Sequence, residues 1–277
     1  VQFWEATALA SSSSFLSDLG GKDGDGTNDF KDLNLNRTRF AVGGGFSYNT
    51  GKGLDLSLNA FYTQLSASDV ETKSSRTARN ISVRTDVIET NLLLQYTVPK
   101  TIPRLSGLYA NIGAGIFLYR PMAEWQGTWY ELRPLGTEGQ FSDPNLQPYK
   151  IYSPVVPFGV GKKFYLNHNI ALSLDFSFRK SFTDYLDDVS TSYYDNDAIL
   201  ANSGPAAAHF ANPSSTSAGQ QGSRRGNPEN NDNFYLIGLK LHLPKAKYRR
   251  VYWPMPDTWI DKYNRKLRFR KNGKTRR

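Results

Sequence analysis

The residues of this chain able to do proton or nucleophile chemistry are few and far apart. There are three histidines, His168, His209 and His242, and no cysteine. A hydrolase or acyltransferase needs its base beside a nucleophile or a carboxylate. By sequence the histidines fall in a short connection, in the last long loop and at the end of the last strand, so they predict no shared site and no enzyme. Without cysteine there is no disulfide framework, thiolate metal site or lipid-modified thiol. The run Asp23-Gly24-Asp25-Gly26-Thr27-Asn28-Asp29 has the composition of a calcium loop. It lacks the EF-hand spacing and the distal bidentate Glu, so it reads as an acidic turn. Trp125, Trp129 and Tyr130 could bind a ligand or partner, or pack over whatever lies beneath them. No cofactor and no small-molecule substrate is expected.

The elements that must carry these residues are strands. Between residues 40 and 62, Phe40, Val42, Gly44, Phe46 and Tyr48 alternate with Ala41, Gly43, Gly45 and Ser47; after a turn at 49–53, Leu54, Leu56, Leu58, Ala60 and Tyr62 alternate with Asp55, Ser57 and Asn59. A period of two makes this a hairpin with one apolar and one polar face. Eight such segments can be counted. The first sets Trp4 and Ala6 against Glu5 and Thr7. The fourth sets Ile88, Leu92 and Leu94 against Glu89, Asn91 and Gln95; the fifth, Ile112, Ile116 and Leu118 against Asn111, Gly113 and Gly115. In the sixth, Pro154 and Pro157 mark a compromised end. The seventh sets Leu172, Leu174 and Phe176 against Asp175 and Arg179, and the eighth Ile237, Leu239 and Leu241 against Lys240 and His242.

The connections alternate strictly in length. Those at 49–53, 99–107 and 166–169 are short, and those at 15–36, 66–80, 120–150 and 183–232 are long. Short turns at one end, long loops at the other and an even strand number are the layout of an outer-membrane barrel. The expected fold class is therefore all-β: an eight-stranded antiparallel transmembrane β-barrel over residues 1–243, with long extracellular loops. No stretch reaches the roughly 18–20 apolar residues of a spanning helix. A mean hydropathy of −0.53 is compatible with a barrel, because lipid-facing and lumen-facing residues alternate. A soluble lipocalin-like barrel would turn the same stripes inward. Against it, the opposite faces carry Asp55, Asn59, Glu89, Asn91, Asp175 and Arg179 among Gly and Ser, an inventory for enclosure. Inside so narrow a barrel Glu5, Asp55, Glu89 and Asp175 should pair with Arg39, Lys163 and Arg179, which predicts a plugged lumen. The Val1-Gln2-Phe3-Trp4 start suggests a mature, exported chain.

Residues 244–277 form a second region. Thirteen Lys and Arg face only Asp257 and Asp261, a net charge of +11, so the rest carries −2 of the chain's +9. Asp257 could cap a short helix with Trp259, Ile260, Tyr263 and Leu267 on one face. Following the last strand, this tail would lie on the periplasmic side, where nucleic acid is not available. Arg249, Arg250, Tyr252, Trp253, Trp259, Tyr263, Arg268 and Arg270 are the candidate contacts to a protein partner, since aromatic and Arg anchors dominate interfaces.

Two loop motifs carry a resemblance. Phe15-Leu16-Ser17-Asp18-Leu19-Gly20-Gly21, with Asp32-Leu33-Asn34-Leu35-Asn36-Arg37-Thr38-Arg39, resembles the PorG-like outer-membrane barrel family of Bacteroidota. So does Thr183-Asp184-Tyr185-Leu186-Asp187-Asp188-Val189-Ser190-Thr191, with Arg225-Gly226-Asn227-Pro228 before Asp232. Ser17 stands where that family would have Gly. The resemblance implies a noncatalytic component of the type IX secretion and gliding machinery, in which the barrel sits in outer-membrane lipid and anchors a periplasmic ring of a lipoprotein and its partner subunit. It singles out Asp18, Gly20, Gly21, Asp184, Asp187, Asp188, Arg225 and Gly226. A surface barrel that binds a ligand or passes small solutes is the other reading.

Overall fold

The computed structural model describes residues 2–19, 38–70, 79–99, 101–167, 169–214 and 219–244. Eight long strands close into one antiparallel barrel: β1 (Phe3–Leu16), β2 (Arg39–Asn49), β3 (Leu54–Ser68), β4 (Ser82–Thr97), β5 (Leu108–Trp125), β7 (Tyr152–Tyr165), β8 (Ala171–Ser181) and β9 (Asn233–Pro244). Each pairs with its neighbour in the chain, and β9 returns to β1 through Ala6↔Leu243 and Ala10↔Leu239. The ninth strand, β6 (Thr128–Glu131), belongs to a small hairpin that extends β5 beyond the rim. Its turn is Gln126-Gly127, at φ 53° and 76°, the two positive values that a tight hairpin needs.

The alternation read from sequence is obeyed, and it places the apolar side outside. On β4, Ile88, Leu92, Leu94 and Tyr96 face outward, each about half exposed, while Val87, Glu89, Asn91 and Gln95 are buried. The belt continues around the barrel through Phe46, Leu58, Ile112, Ile116, Val160, Leu174 and Leu239. Aromatics edge it at the short-turn end, where Trp4 and Tyr48 lie 5.0 Å apart and Tyr96 and Phe164 are exposed on other strands, and at the loop end, where Phe40 meets Tyr62 at 6.2 Å. In water this belt would forgo about 25 cal/mol per Å² of apolar surface. Acyl chains remove that cost, and closure leaves no unpaired sheet edge in lipid. The soluble, inward-greased alternative is excluded.

Two expectations need correction. The prolines of β7 do not end it. The strand runs through both, and its ladder with β5 lapses only between Ile112↔Phe158 and Gly115↔Val155, where Pro157, lacking an N–H, faces Gly113. The lumen is also not polar throughout. Its loop half is filled by Phe61, Phe117, Tyr119, Val155, Phe234 and Leu236, sealed by Leu186 from the loop after β8.

Arginine placed at the belt's centre tests the outward assignment. Leu92→Arg should cost about 2–4 kcal/mol of stability in lipid, read from reversible unfolding in bilayers, whereas Leu92→Phe should be near neutral.

Candidate functional site

Two polar clusters could do chemistry, one in the lumen near the short turns and one beneath the long loops. In the lumen, Lys163 Nζ donates to Glu5 Oε1 at 3.0 Å, Lys240 Nζ reaches Asp175 Oδ2 at 2.7 Å, and Arg179 Nε lies 3.5 Å from Glu89 Oε2. Two of the pairs use partners expected from sequence; Lys240 was not among those expected. Asp55 is buried without an ion pair among the described residues, and Arg39 meets Thr38 O and Ser66 Oγ in place of a carboxylate. Arg39 sits at the loop end of β2, too far along the barrel for the charges near the short turns.

His242 corrects the expectation that the histidines stand apart from carboxylates and hydroxyls. Closing the barrel sets β9 between β1 and β8. This brings His242 Nδ1 within 2.7 Å of Glu5 Oε1 and Nε2 within 2.9 Å of Ser173 Oγ. The Nδ1–H tautomer donates to Glu5 and lets Nε2 accept from Ser173, the order of a nucleophile, base and carboxylate. Such a triad works only if a substrate carbonyl reaches the hydroxyl and donors await its oxyanion. Ser173 is fully buried. The nearby lumenal cavity, about 30 Å³ among Asn59, Asn91, Asn111, Asp175 and Arg179, is sized for a water molecule or two. The triad is therefore an enclosed internal network with no route for a substrate. His209 stacks on Trp125 at 4.7 Å, and His168 lies outside the described residues.

The second cluster draws on all four long loops. Asp18 follows β1, Asp69 follows β3, Arg79 precedes β4, Glu138 lies between β6 and β7, Asp184, Asp187 and Asp188 follow β8, and Arg225, Gly226 and Asp232 precede β9. All ten are buried or glycine. Arg79 clamps Asp69 with two bonds of 2.6 and 2.9 Å and donates to Asp18 O at 2.9 Å and Arg225 O at 2.5 Å. Arg225 Nη1 donates to Glu138 Oε1 at 3.0 Å and Asp188 O at 2.5 Å, and Nη2 to Phe210 O at 3.3 Å. Glu138 also accepts from Ser190 N at 2.9 Å and Thr191 Oγ1 at 2.7 Å, and Asp188 from Thr137 Oγ1 and Tyr149 Oη, both at 2.6 Å. A Cβ on Gly226 would meet the Ser190 carbonyl at 2.6 Å, so only glycine lets the two segments approach. Above the cluster lies helix α1 (Asn196–Ala211), capped by Asp195, which accepts from Asp197 N and Ala198 N.

Burial, and next the neighbouring Asp187 charge, pushes the Asp184 carboxyl up to about 9. Burial and the Asp18 charge push Asp187 up to about 8, and burial with Asp187 and Asp184 raises Asp232 well above the usual carboxylate range. Burial lifts Asp188 only to about 6, because Arg225 stands beside it.

Six residues singled out by motif, Asp18, Asp184, Asp187, Asp188, Arg225 and Gly226, thus share one cluster. Gly20, Gly21, the acidic turn at Asp23, Asp25 and Asp29, and the tail residues Arg249, Arg250, Tyr252, Trp253, Trp259, Tyr263, Arg268 and Arg270 lie outside the described residues. Sequence reasoning missed Asp69, Arg79 and Glu138, which carry no spacing signal because their partners come from other loops. Trp125 and Tyr130 pack on His209 and Phe210, whereas Trp129 remains partly exposed under Arg84, 3.9 Å from its ring. A cavity of about 220 Å³ opens beside them, among Val70, Ile81, Val83, Ala123, His209 and Phe210. Among the described residues no three histidine or carboxylate side chains converge as a metal ion would require.

Removing one guanidinium strands its buried carboxylates. Arg225→Met should loosen the loop cap by about 3–5 kcal/mol, read as faster protease nicking in the long loops with the barrel's own melting little changed. Gly226→Ala should act in the same direction through overpacking, by about 1–3 kcal/mol.

No model of a known protein family matches the chain, and no curated protein matches it. Among solved structures it is similar to Ail, the attachment invasion locus protein of Yersinia pestis solved with the heparin analogue sucrose octasulfate, at 7% identity over 88% of this chain and 97% of Ail, with a TM-score of 0.39. Neisserial surface protein A gives 9% identity, 87% and 95% coverage and a TM-score of 0.35. OprG from Pseudomonas aeruginosa gives 12%, 86% and 95%, with 0.34. The fold, read from the chain's own strand pairing and outward apolar belt, is a closed, eight-stranded antiparallel barrel of the outer-membrane kind.

Proposed function

We propose that this chain is a noncatalytic outer-membrane barrel that anchors or docks a periplasmic protein assembly, and that the assembly is the ring of the type IX secretion and gliding machinery. The observation that carries this reading is the sealed lumen. Ion pairs fill its short-turn half and Phe61, Phe117, Phe234 and Leu186 fill its loop half, which suits a membrane anchor better than a conduit. The motif residues that resemble the PorG-like family of Bacteroidota support the finer assignment. The grip on the assembly is proposed for the tail, whose +11 charge and interleaved aromatics suit an acidic, protein surface. Its partners would be the ring's lipoprotein and that lipoprotein's own partner subunit, with the tail in the periplasm.

One feature favours a second reading, a surface barrel that binds a ligand or passes small solutes at its loop-covered mouth. It is the 220 Å³ cavity beside His209 and Phe210, within reach of the outside and mostly apolar.

Two measurements separate these. Deleting residues 245–277 should abolish co-purification of periplasmic subunits from intact membranes while leaving the barrel folded; unchanged co-purification would refute the tail's role. In planar bilayers the full chain should pass almost no current, and sustained conductance would favour the second reading.

A further inference from the structure

The apolar belt ends abruptly on the stretch of wall where β4, β5 and the start of β7 run side by side. Its rows follow from the register. Leu94 and Ile112 face Phe158, Thr90 and Ile116 face Pro154, and Ile88 and Leu118 face Tyr152, all on the outer wall. Ile112, Ile116 and Leu118 are each about half exposed. One rung beyond, the row turns charged. Asp86 pairs with Arg120, and the ladder to β7 goes on through Tyr119 N, which donates to Ile151 O at 2.9 Å. Arg120 lies two residues after Leu118 and Lys150 two before Tyr152, so antiparallel pairing carries the two cations toward each other. Arg133 Nε donates to the carbonyl of Tyr149 at 2.7 Å, which sets a third cation beside Lys150.

Like charges facing each other across a ladder are destabilising, and little here offsets them. Arg120 comes no nearer than 3.7 Å to Asp86 Oδ2, with its side chain more than half exposed. Asp86 Oδ1 already accepts from Tyr62 Oη at 2.9 Å and Gln64 Nε2 at 3.0 Å. Lys150 is exposed and makes no ion pair among the described residues; its Nζ lies 5.8 Å from the centre of the Tyr152 ring. Glu131 stands a rung farther out, opposite Met122. The row therefore gathers cations at the height where the apolar wall stops, which is where lipid headgroups begin.

We propose that this row seats a multiply phosphorylated lipid of the outer leaflet, its phosphate oxygens among Arg120, Lys150 and Arg133 and its acyl chains along Leu118, Ile116 and Ile112. Barrels of this layout carry their long loops outside, so the row meets that leaflet. The chemistry narrows the ligand. A guanidinium takes two phosphate oxygens side by side and an ammonium takes one as a point charge. A zwitterionic headgroup would bring another cation to a place already crowded with three. A free phosphate would leave the apolar column below unused, whereas an amphiphile covers both at once. Tyr152, in the last apolar row, has the amphipathic ring that suits this boundary. The inference rests on the outer-membrane reading and on no docking partner. Entry into a bilayer tests that reading, and selectivity among lipids tests the inference.

The experiment uses the full chain in phosphatidylcholine nanodiscs doped, in separate preparations, with diphosphorylated lipid A, lipid A stripped of its phosphates, or phosphatidylglycerol. Native mass spectrometry then counts the lipid that stays on the released barrel. Lipid A should be retained about tenfold or more over phosphatidylglycerol, and removing its phosphates should remove the advantage. Arg120→Gln and Lys150→Gln should each lower retention about tenfold, the worth of one charge-assisted hydrogen bond. Lys52→Gln, in the turn at the opposite end, should leave it unchanged. All three side chains are exposed, so the variants should insert as the parent does. A chain that enters no bilayer refutes the outer-membrane reading itself. Equal retention of lipid A and phosphatidylglycerol overturns the proposal in favour of unselective attraction. Loss of lipid A in inorganic phosphate, but not in chloride of the same ionic strength, overturns it in favour of a free-anion site.

Discussion

The pairing of β4 with β5 is the contact on which the rest depends. Strands in hydrocarbon have no water to take up an unpaired N–H or C=O, so a sheet that did not join its two edges would expose a ladder's worth of polar groups to lipid. Leu92↔Ala114 and its neighbours close that seam, as Ala6↔Leu243 joins the first strand to the last. Once the cylinder is closed, the alternation of side chains has one consistent solution, with apolar residues on the outer wall and polar ones enclosed. Glycines assist where the enclosed space is tightest. Tyr109 lies over Gly161, its register partner, occupying the room a side chain there would need.

Enclosure then dictates what the polar residues do. A charge in a narrow lumen can reach neither bulk water nor a distant counterion, so Glu5, Asp175 and Glu89 each find a cation on another strand. Such pairs are weak evidence of net stability, because desolvation consumes most of the attraction. Their effect is on register. A strand displaced by one residue would turn Lys163 or Lys240 toward acyl chains. Above them the lumen changes character, and Arg179 marks the boundary, its guanidinium 4.9 Å from the ring of Phe61. The loop half is a small apolar core of the kind a soluble domain would have, and it gives the loops something to pack against.

That division explains how much the sequence disclosed. Strand positions and facing were legible because alternation over β4 and β5 is long and nearly unbroken, and one-dimensional periodicity is what closure obeys. The apolar plug was not, because Phe61, Phe117 and Phe234 sit on the otherwise polar face and look like noise in the pattern. The hairpin at Gln126-Gly127 and helix α1 left signals, a turn dipeptide and an Asp cap before an alanine-rich stretch, inside regions that read as loop. The Glu5–His242–Ser173 chain could not be seen at all. Its members are up to 237 positions apart and meet only because the barrel's ends join.

The loop motifs show how a familiar pattern can stand for architecture. Asp18, Arg225 and Gly226 have the look of a binding site, charged residues beside a glycine in loops at a barrel mouth. Their atoms are nearly all spoken for: Arg225 on Glu138 and the Asp188 and Phe210 carbonyls, Asp18 on Asn227, Gly226 against the Ser190 backbone. In this chain the motif is then the means by which the long loops are fastened to one another over a sealed barrel. A partner at that face would meet exposed loop residues such as Trp129, and not the buried motif itself. Among the described residues the buried cap atoms without a hydrogen-bond partner include both Asp184 carboxylate oxygens, Asp187 Oδ2, Asp232 Oδ1 and the Arg225 Nε, so the loops are fastened at the expense of a few unsatisfied groups at the centre of the cap.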